Sequence, residues 1–209
     1  MMDVKDIPLI GGHPVLDFSN SWENPGLASE VNYLGDYAAL LAWAARTELL
    51  RPPAAKALLR ESKTHPLRAK AAWERAMGLR KSLLAIVHTL TQDSAAPSDD
   101  LRVVNDAVAE ALDQRALAVS PQGLAWSWKD QASLDVIWRL IALQASELLT
   151  DEGLRGRIKT CANGSCDWVF LDLSHAGRRR WCRMGVCGTA DKVRKFRERQ
   201  RRKTEQAKK

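Results

Sequence analysis

The chain has 209 residues, enough for one medium domain with a small appended module, or for one large domain. Hydrophobic residues make up 45% and charged residues 27%, which excludes a chain that is disordered overall. The net charge of +7 is unevenly spread: Arg178 to Lys209 hold fourteen basic and three acidic residues, a net +11, so residues 1–177 carry −4. An acidic body with a cationic end points to an anionic partner, either nucleic acid or an anionic membrane. No apolar run reaches the roughly 18 residues of a membrane span. The opening Met1 to Ile10 has no apolar stretch of signal length, so a cytoplasmic setting is expected.

In chain order, Gly11 and Gly12 suggest a turn, and Val15, Leu16, Asp17 and Phe18 a short strand or extended piece after it. Asn24, Pro25 and Gly26 mark a loop. From Leu34 to Leu50, the apolar residues Leu34, Tyr37, Leu40, Leu41, Ala44 and Ala45 recur at helical spacing. Pro52 and Pro53 end that helix, and Pro53 opens a short second one over Ala54 to Glu61. His65 and Pro66 introduce a long helix from about Leu67 to Leu90. Pro97, Ser98, Asp99 and Asp100 offer caps for a helix reaching Gln114 through Val104, Val108 and Leu112.

The period then changes. Ala116 to Ser120 and Leu124 to Trp128 flank Pro121, Gln122 and Gly123, and the alternation of Leu124, Trp126 and Trp128 predicts a β-hairpin. Its free edge has a candidate partner in Val15–Phe18. A helix over Ala132 to Leu149 follows, and a domain boundary is placed near Asp151–Ile158. The expected architecture is a mainly α domain with a small antiparallel sheet (α+β), residues 1–155. A four-cysteine module with a basic C-terminal helix, residues 156–209, follows it.

The cysteines read Cys161-x4-Cys166-x15-Cys182-x4-Cys187. Two pairs joined by a short linker have the form of a tetrahedral four-thiolate zinc site, and thiolates favour soft cations. Asn163, Gly164 and Ser165 in the first loop, and Gly185 in the second, let each pair fold its sulfurs toward one point. Trp168, Val169, Phe170 and Trp181 are expected around the metal. The alternatives are two disulfides, less suited to a reduced compartment, or unrelated buried cysteines. Four cysteines leave no open position for water, so the Zn2+ is expected to be structural. Nothing in the sequence argues for an enzyme, and an enzymatic body is the most distant alternative.

Asp191 to Ala207 predict a helix rich in arginine, whose planar fork suits phosphate and guanine. Candidate nucleic-acid contacts are Arg178, Arg179, Arg180 and Arg183 in the module, with Lys192, Arg194, Lys195, Arg197, Arg199, Arg201 and Arg202 on the helix. Val193, Phe196 and Gln200 share a face that is expected to dock on the module. A solvated charged tail is the alternative. Membrane binding is disfavoured because the helix has few large apolar residues.

The C-terminal segment resembles the CGNR zinc-finger family. The match runs over Cys161–Asp172, Arg179–Met184, Cys187–Gly188 and Lys192–Arg194. Residues Gly12 to Asn20, followed by Leu40 to Trp43, resemble the ABATE domain that usually precedes this finger. The resemblance implies a bacterial, stress-linked transcription regulator with a ligand-sensing N-terminal domain and a DNA-binding finger. One departure stands out: the motif reads Cys187, Gly188, Thr189, Ala190, without its Asn and Arg. The family's Ser-Arg-Asn stretch is Ser174, His175, Ala176 here. Zinc binding is expected to survive and sequence-specific reading to weaken, with Thr189 serving instead as N-cap of the last helix.

A ligand pocket is placed at His13, Asp17 and Asn20, near Trp22 and with Trp43, Trp126 or Trp128. The plainer alternative has Asp17 and Asn20 satisfying backbone groups and the tryptophans filling core. His65 and His88 are expected to be structural or exposed. DNA is the expected partner, with a homodimer matching paired half-sites. The alternatives are an RNA-binding zinc protein and a zinc-stabilised module for an acidic protein.

Overall fold

A computed structural model describes residues 4–92, 94–121 and 123–206. Ala207, the expected end of the last helix, lies outside the described residues, as do Gln122 of the hairpin turn, Lys208 and Lys209. The architecture is mainly helical with three small antiparallel sheets.

After a 3-10 turn at Val4–Asp6, the first regular element is a helix, α1 (Pro14–Ser19), where a strand was expected. Gly12 takes a left-handed φ of 73°, and the His13 side chain accepts from the Val15 N–H. Pro14 stands in the first turn, where its missing N–H costs nothing. Six residues are too few for a helix to persist alone. This one is held because Val15, Leu16 and Phe18 are wholly buried, with Phe18 5.2 Å from the Trp43 ring.

A two-residue pairing of β1 (Trp22–Glu23) and β2 (Val31–Asn32) closes the loop containing Asn24–Gly26. Helix α2 (Tyr37–Arg46) is shorter than its apolar period suggests, because Asp36 caps it by accepting from the Ala39 N–H at 2.7 Å. Leu34 and Leu50 are buried outside it. Both prolines start α3 (Pro52–Thr64), and Pro66 starts α4 (Pro66–Leu90). Helix α5 (Ser98–Asp113) begins after Pro97 without a side-chain cap; Asp99 and Asp100 instead face the positive end of its dipole. Leu112, expected on the buried face, is exposed, and Val104 and Ala111 are buried.

Helices α4, α5 and α6 (Val136–Thr150) pack on one another, α2 leans on α4, and α1 lies against α4 and α6. Two arginines are buried among them. Arg139 reaches Glu110 at 3.0 Å and donates to the Ser133 hydroxyl. Arg80 has no ion-pair partner among the described residues. It donates to the Ser21 carbonyl and hydroxyl and lies over the Trp22 ring, and burial pushes its pKa down to about 10.

The predicted hairpin is present as β3 (Arg115–Ser120) and β4 (Gly123–Trp128), with Leu117 opposite Trp126 and Val119 opposite Leu124. It forms a two-stranded sheet by itself. The expected partner at Val15–Phe18 is helical and offers no strand edge.

A four-residue helix, α7 (Glu152–Arg155), leads into the last sheet, β5 (Ile158–Thr160) with β6 (Val169–Leu171). Strand alternation gives this sheet two tasks. Ile158, Val169 and Leu171 join the core of the helical body, whereas Trp168 and Phe170 turn toward the cysteines. Val169 was expected around the metal and belongs to the body instead.

Candidate metal centre and cationic helix

Four sulfurs converge. The ligand atoms of Cys161, Cys166, Cys182 and Cys187 all lie within 4.8 Å of one another. The closest pairs are Cys166–Cys182 at 3.7 Å and Cys182–Cys187 at 3.5 Å. A tetrahedral ion with metal–sulfur bonds of about 2.3 Å has edges of about 3.8 Å, so the cluster is close to its liganded size.

Local sequence explains the convergence. In the first loop the Cys166 N–H donates to the Asn163 carbonyl at 2.8 Å. In the second, a π-helical turn over Met184–Gly188 sends the N–H groups of Val186, Cys187 and Gly188 to the Arg183 carbonyl. The Ala162 N–H donates to the Arg180 carbonyl, tying the loops together. The Cys182 thiol beside Cys166 draws the Cys166 pKa down to about 6, while the Cys182 and Cys187 thiols are pushed up. Adjacent thiolates repel, so four cannot share this volume without a central cation. The donor set fits one, and the cluster is a metal-binding centre. Trp168, Phe170 and Trp181 surround it, as expected.

Sequence reasoning gave Asp172 and Lys159 no part in the site. Asp172 is wholly buried and accepts from Lys159 Nζ at 2.6 Å, from the Ser174 N–H and hydroxyl, and from the Arg179 N–H. These bonds hold its carboxyl well below the usual range and fix the segment from Asp172 to Arg179.

Asn20, expected in a ligand pocket, serves as a buckle. Its amide donates to the Val169 carbonyl at 2.8 Å and its oxygen accepts from the Val169 N–H at 2.9 Å, as a neighbouring strand would. Asp17 accepts from the Gly11 N–H at 2.7 Å, and burial raises its pKa. A Cβ on Gly11 would stand 2.8 Å from the Asp17 nitrogen, so that approach needs glycine. His13 and Asp17 do share a shallow cleft of about 280 Å³ with Arg46 and Glu48; Asn20 is not in its lining. Trp43 is core and Trp126 is exposed, so neither completes a pocket there.

His88 Nε2 meets the Asp167 carbonyl at 2.9 Å, and the Thr91 and Thr160 hydroxyls meet at 2.8 Å; both fasten module to body. His65 pairs with Glu61 at the junction of α3 and α4. Replacing Asn20 with Ala leaves the Val169 N–H and C=O buried without partners, and a loss of about 2–4 kcal/mol is expected. Urea denaturation measures this, and a change below about 0.5 kcal/mol would reject the buckle.

The last helix, α8 (Thr189–Gln206), continues from the π-helical turn. Thr189 is therefore its first helical residue and not its cap; its hydroxyl donates to the Met184 carbonyl. Val193 and Phe196 remain exposed, so the expected docking on the module does not occur. Buried Asp191 receives Arg194 and Lys195, and Arg194 also reaches Glu198. Arg179 is committed as well. Its guanidinium donates to the carbonyls of Ile10, Trp181 and Cys182 and lies 4.1 Å from the Phe170 ring centre. Arg180 stacks over Trp181. Arg178, Arg183, Lys192, Arg197, Arg199, Arg201 and Arg202 are exposed.

Fold and site define a helical body fused to a small four-thiolate metal module that projects a cationic helix. Residues 12–152 match the ABATE family model, described as "Putative stress-induced transcription regulator", and residues 157–200 match the CGNR zinc finger. The chain belongs to the ABATE family and carries a CGNR zinc finger after that domain. No curated protein matches it. Among the described residues, no helix is long and apolar enough to cross a membrane.

Proposed function

We propose that this protein is a cytoplasmic, non-enzymatic DNA-binding regulator of transcription in a bacterial stress response. The carrying observation is α8, an 18-residue helix leaving a metal module that is bonded to the body. On it, Lys192, Arg197 and Arg199 are exposed and have no ion-pair partner among the described residues. Cations so placed can neutralise phosphates, and a helix of this width fits the major groove.

Zinc is the proposed ion, since four thiolates at tetrahedral spacing suit a soft d10 cation. The positions of the missing Asn and Arg, Thr189 and Ala190, are exposed on the first turn of α8. Their small side chains leave phosphate contacts dominant over base contacts. Ligand sensing is assigned to the His13–Asp17 cleft. A homodimer is part of the reading, since duplex readers commonly pair half-sites.

The test is binding of metal-loaded protein to random duplex DNA over a salt series, with and without chelator, beside a structured RNA at matched salt. Salt-sensitive DNA binding that collapses on chelation is expected. Preference for RNA would replace DNA as the partner, and absence of binding at low salt would reject both. Binding indifferent to the chelator would show that the cationic helix acts without the module.

A further inference from the structure

We infer that the β3–β4 hairpin is a self-association surface whose occupant is the same hairpin of a second copy of this chain. This names the surface for the homodimer of the proposed function, and it stands without the nucleic-acid part of that reading.

The hairpin's large side chains share a face. Leu117, Val119, Leu124 and Trp126 occupy it as two cross-strand pairs and are 62%, 88%, 73% and 58% exposed. The opposite face holds the small residues Ala116, Ala118, Ala125 and Ser127. Trp128, at the base of the same face, packs on the helical core, and the four residues further out along the hairpin are left exposed. From Ala116 to Ser127 there is no charged residue.

Among the described residues each strand has one strand partner, so the sheet has two open edges. Exposed edges are normally guarded by charge, by proline within the strand or by a bulge. Here the register runs unbroken from Arg115–Trp128 to Ser120–Gly123, and the hairpin's proline, Pro121, stands at the turn. A ribbon with an apolar face and unguarded edges is suited to being covered.

Area and charge favour a second copy. The four side chains offer on the order of 500 Å² of apolar surface, a large patch for a monomer. Two such faces together remove about 1,000 Å², the threshold for a specific interface. A two-fold arrangement brings like onto like, and the two outer pairs, Leu117 with Trp126 and Val119 with Leu124, carry no charge; the one cation on that face, Arg115, stands at the base of the hairpin. Arg115 stacks over Trp126 at 4.9 Å and over Trp128 at 5.7 Å, which holds Trp126 in place before contact and lowers the entropy lost on association. At the base of the hairpin, Lys129 and Asp113 pair at 3.6 Å, leaving a rim of both signs.

The experiment is sedimentation equilibrium of the full, metal-loaded, nucleic-acid-free protein, up to about 100 µM and in salt high enough to screen the cationic helix. A reversible dimer is expected. Val119→Glu with Leu124→Glu should raise its dissociation constant at least about tenfold. Leu117→Thr with Leu124→Thr, which keeps β propensity, should weaken it in the same direction, with metal content and helical circular dichroism unchanged in both. A wild-type monomer at the highest concentration overturns the inference. So does a dimer that both folded variants leave intact, since the contact then lies elsewhere. DNA binding enters neither readout, so failure of this inference and failure of DNA binding are separate results; a wild-type monomer would remove the homodimer from the proposed function and leave its DNA binding untouched.

Discussion

Removing the metal is expected to unfold the module and to lower the thermal midpoint of the helical body as well. The module has little core apart from its cysteines, Trp168, Phe170 and partly buried Trp181, and metal sites of this kind supply on the order of 10 kcal/mol to folding. The β5–β6 sheet also lends Ile158, Val169 and Leu171 to the body's core and takes both hydrogen bonds of the Asn20 amide. Each such apolar side chain is worth about 1.5–3 kcal/mol when buried, so the body should lose several kcal/mol with the sheet.

Cys182→Ala is the genetic equivalent. Cys182 Sγ approaches the sulfurs of both Cys166 and Cys187, so its loss opens the centre of the cluster while the backbone N–H that donates to Cys161 Sγ is kept. Wild type is expected to hold about one metal per chain and the variant close to none, by elemental analysis. Hydrogen exchange should quicken at β5 and β6 and extend to α1. An unchanged melting midpoint with the metal verifiably gone would show that module and body are energetically independent.

The second large effect separates the arginines by what they already hold. Changing Lys192, Arg197 and Arg199 together to Gln should leave folding intact and flatten the salt dependence of DNA binding. The slope falls by about 0.9 for each phosphate no longer neutralised, or by about 2 to 3 in all. Affinity near 0.1 M salt should drop roughly 10- to 100-fold.

Arg179→Lys should behave in the opposite way. A lysine cannot reproduce the planar fork that reaches the Ile10, Trp181 and Cys182 carbonyls, so stability and metal retention fall, by about 1–3 kcal/mol. Its salt slope should stay near wild type wherever the variant remains folded. A slope that changes with Arg179→Lys, and not with the triple variant, would reject this division of labour.

Much of the chain is legible without a structure because its signals are local. The paired cysteines announce a metal because tetrahedral ligation needs two tight loops, and their spacing records both. Helices α2 to α6 follow from apolar period, proline placement and capping residues, and the hairpin from its alternation around Pro121. The charge asymmetry is likewise readable by counting.

Other assignments were decided only by tertiary packing. Val15–Phe18 looks extended because a short apolar run has no intrinsic period; burial against Trp43 and the neighbouring helices makes it a helix. Asn20 carries the same amide whether it binds a ligand or a strand, and only the arrival of Val169, 149 residues away, selects the strand. Arg179 lies in a run of three arginines, and the Ile10 carbonyl that claims it is 169 residues distant. The sequence by itself determined the ligand set, the order of the elements and the cationic end. Which polar groups are spent inside the fold, and which remain for a partner, was decided by long-range contacts, because a side chain's task depends on the group the folded chain brings beside it.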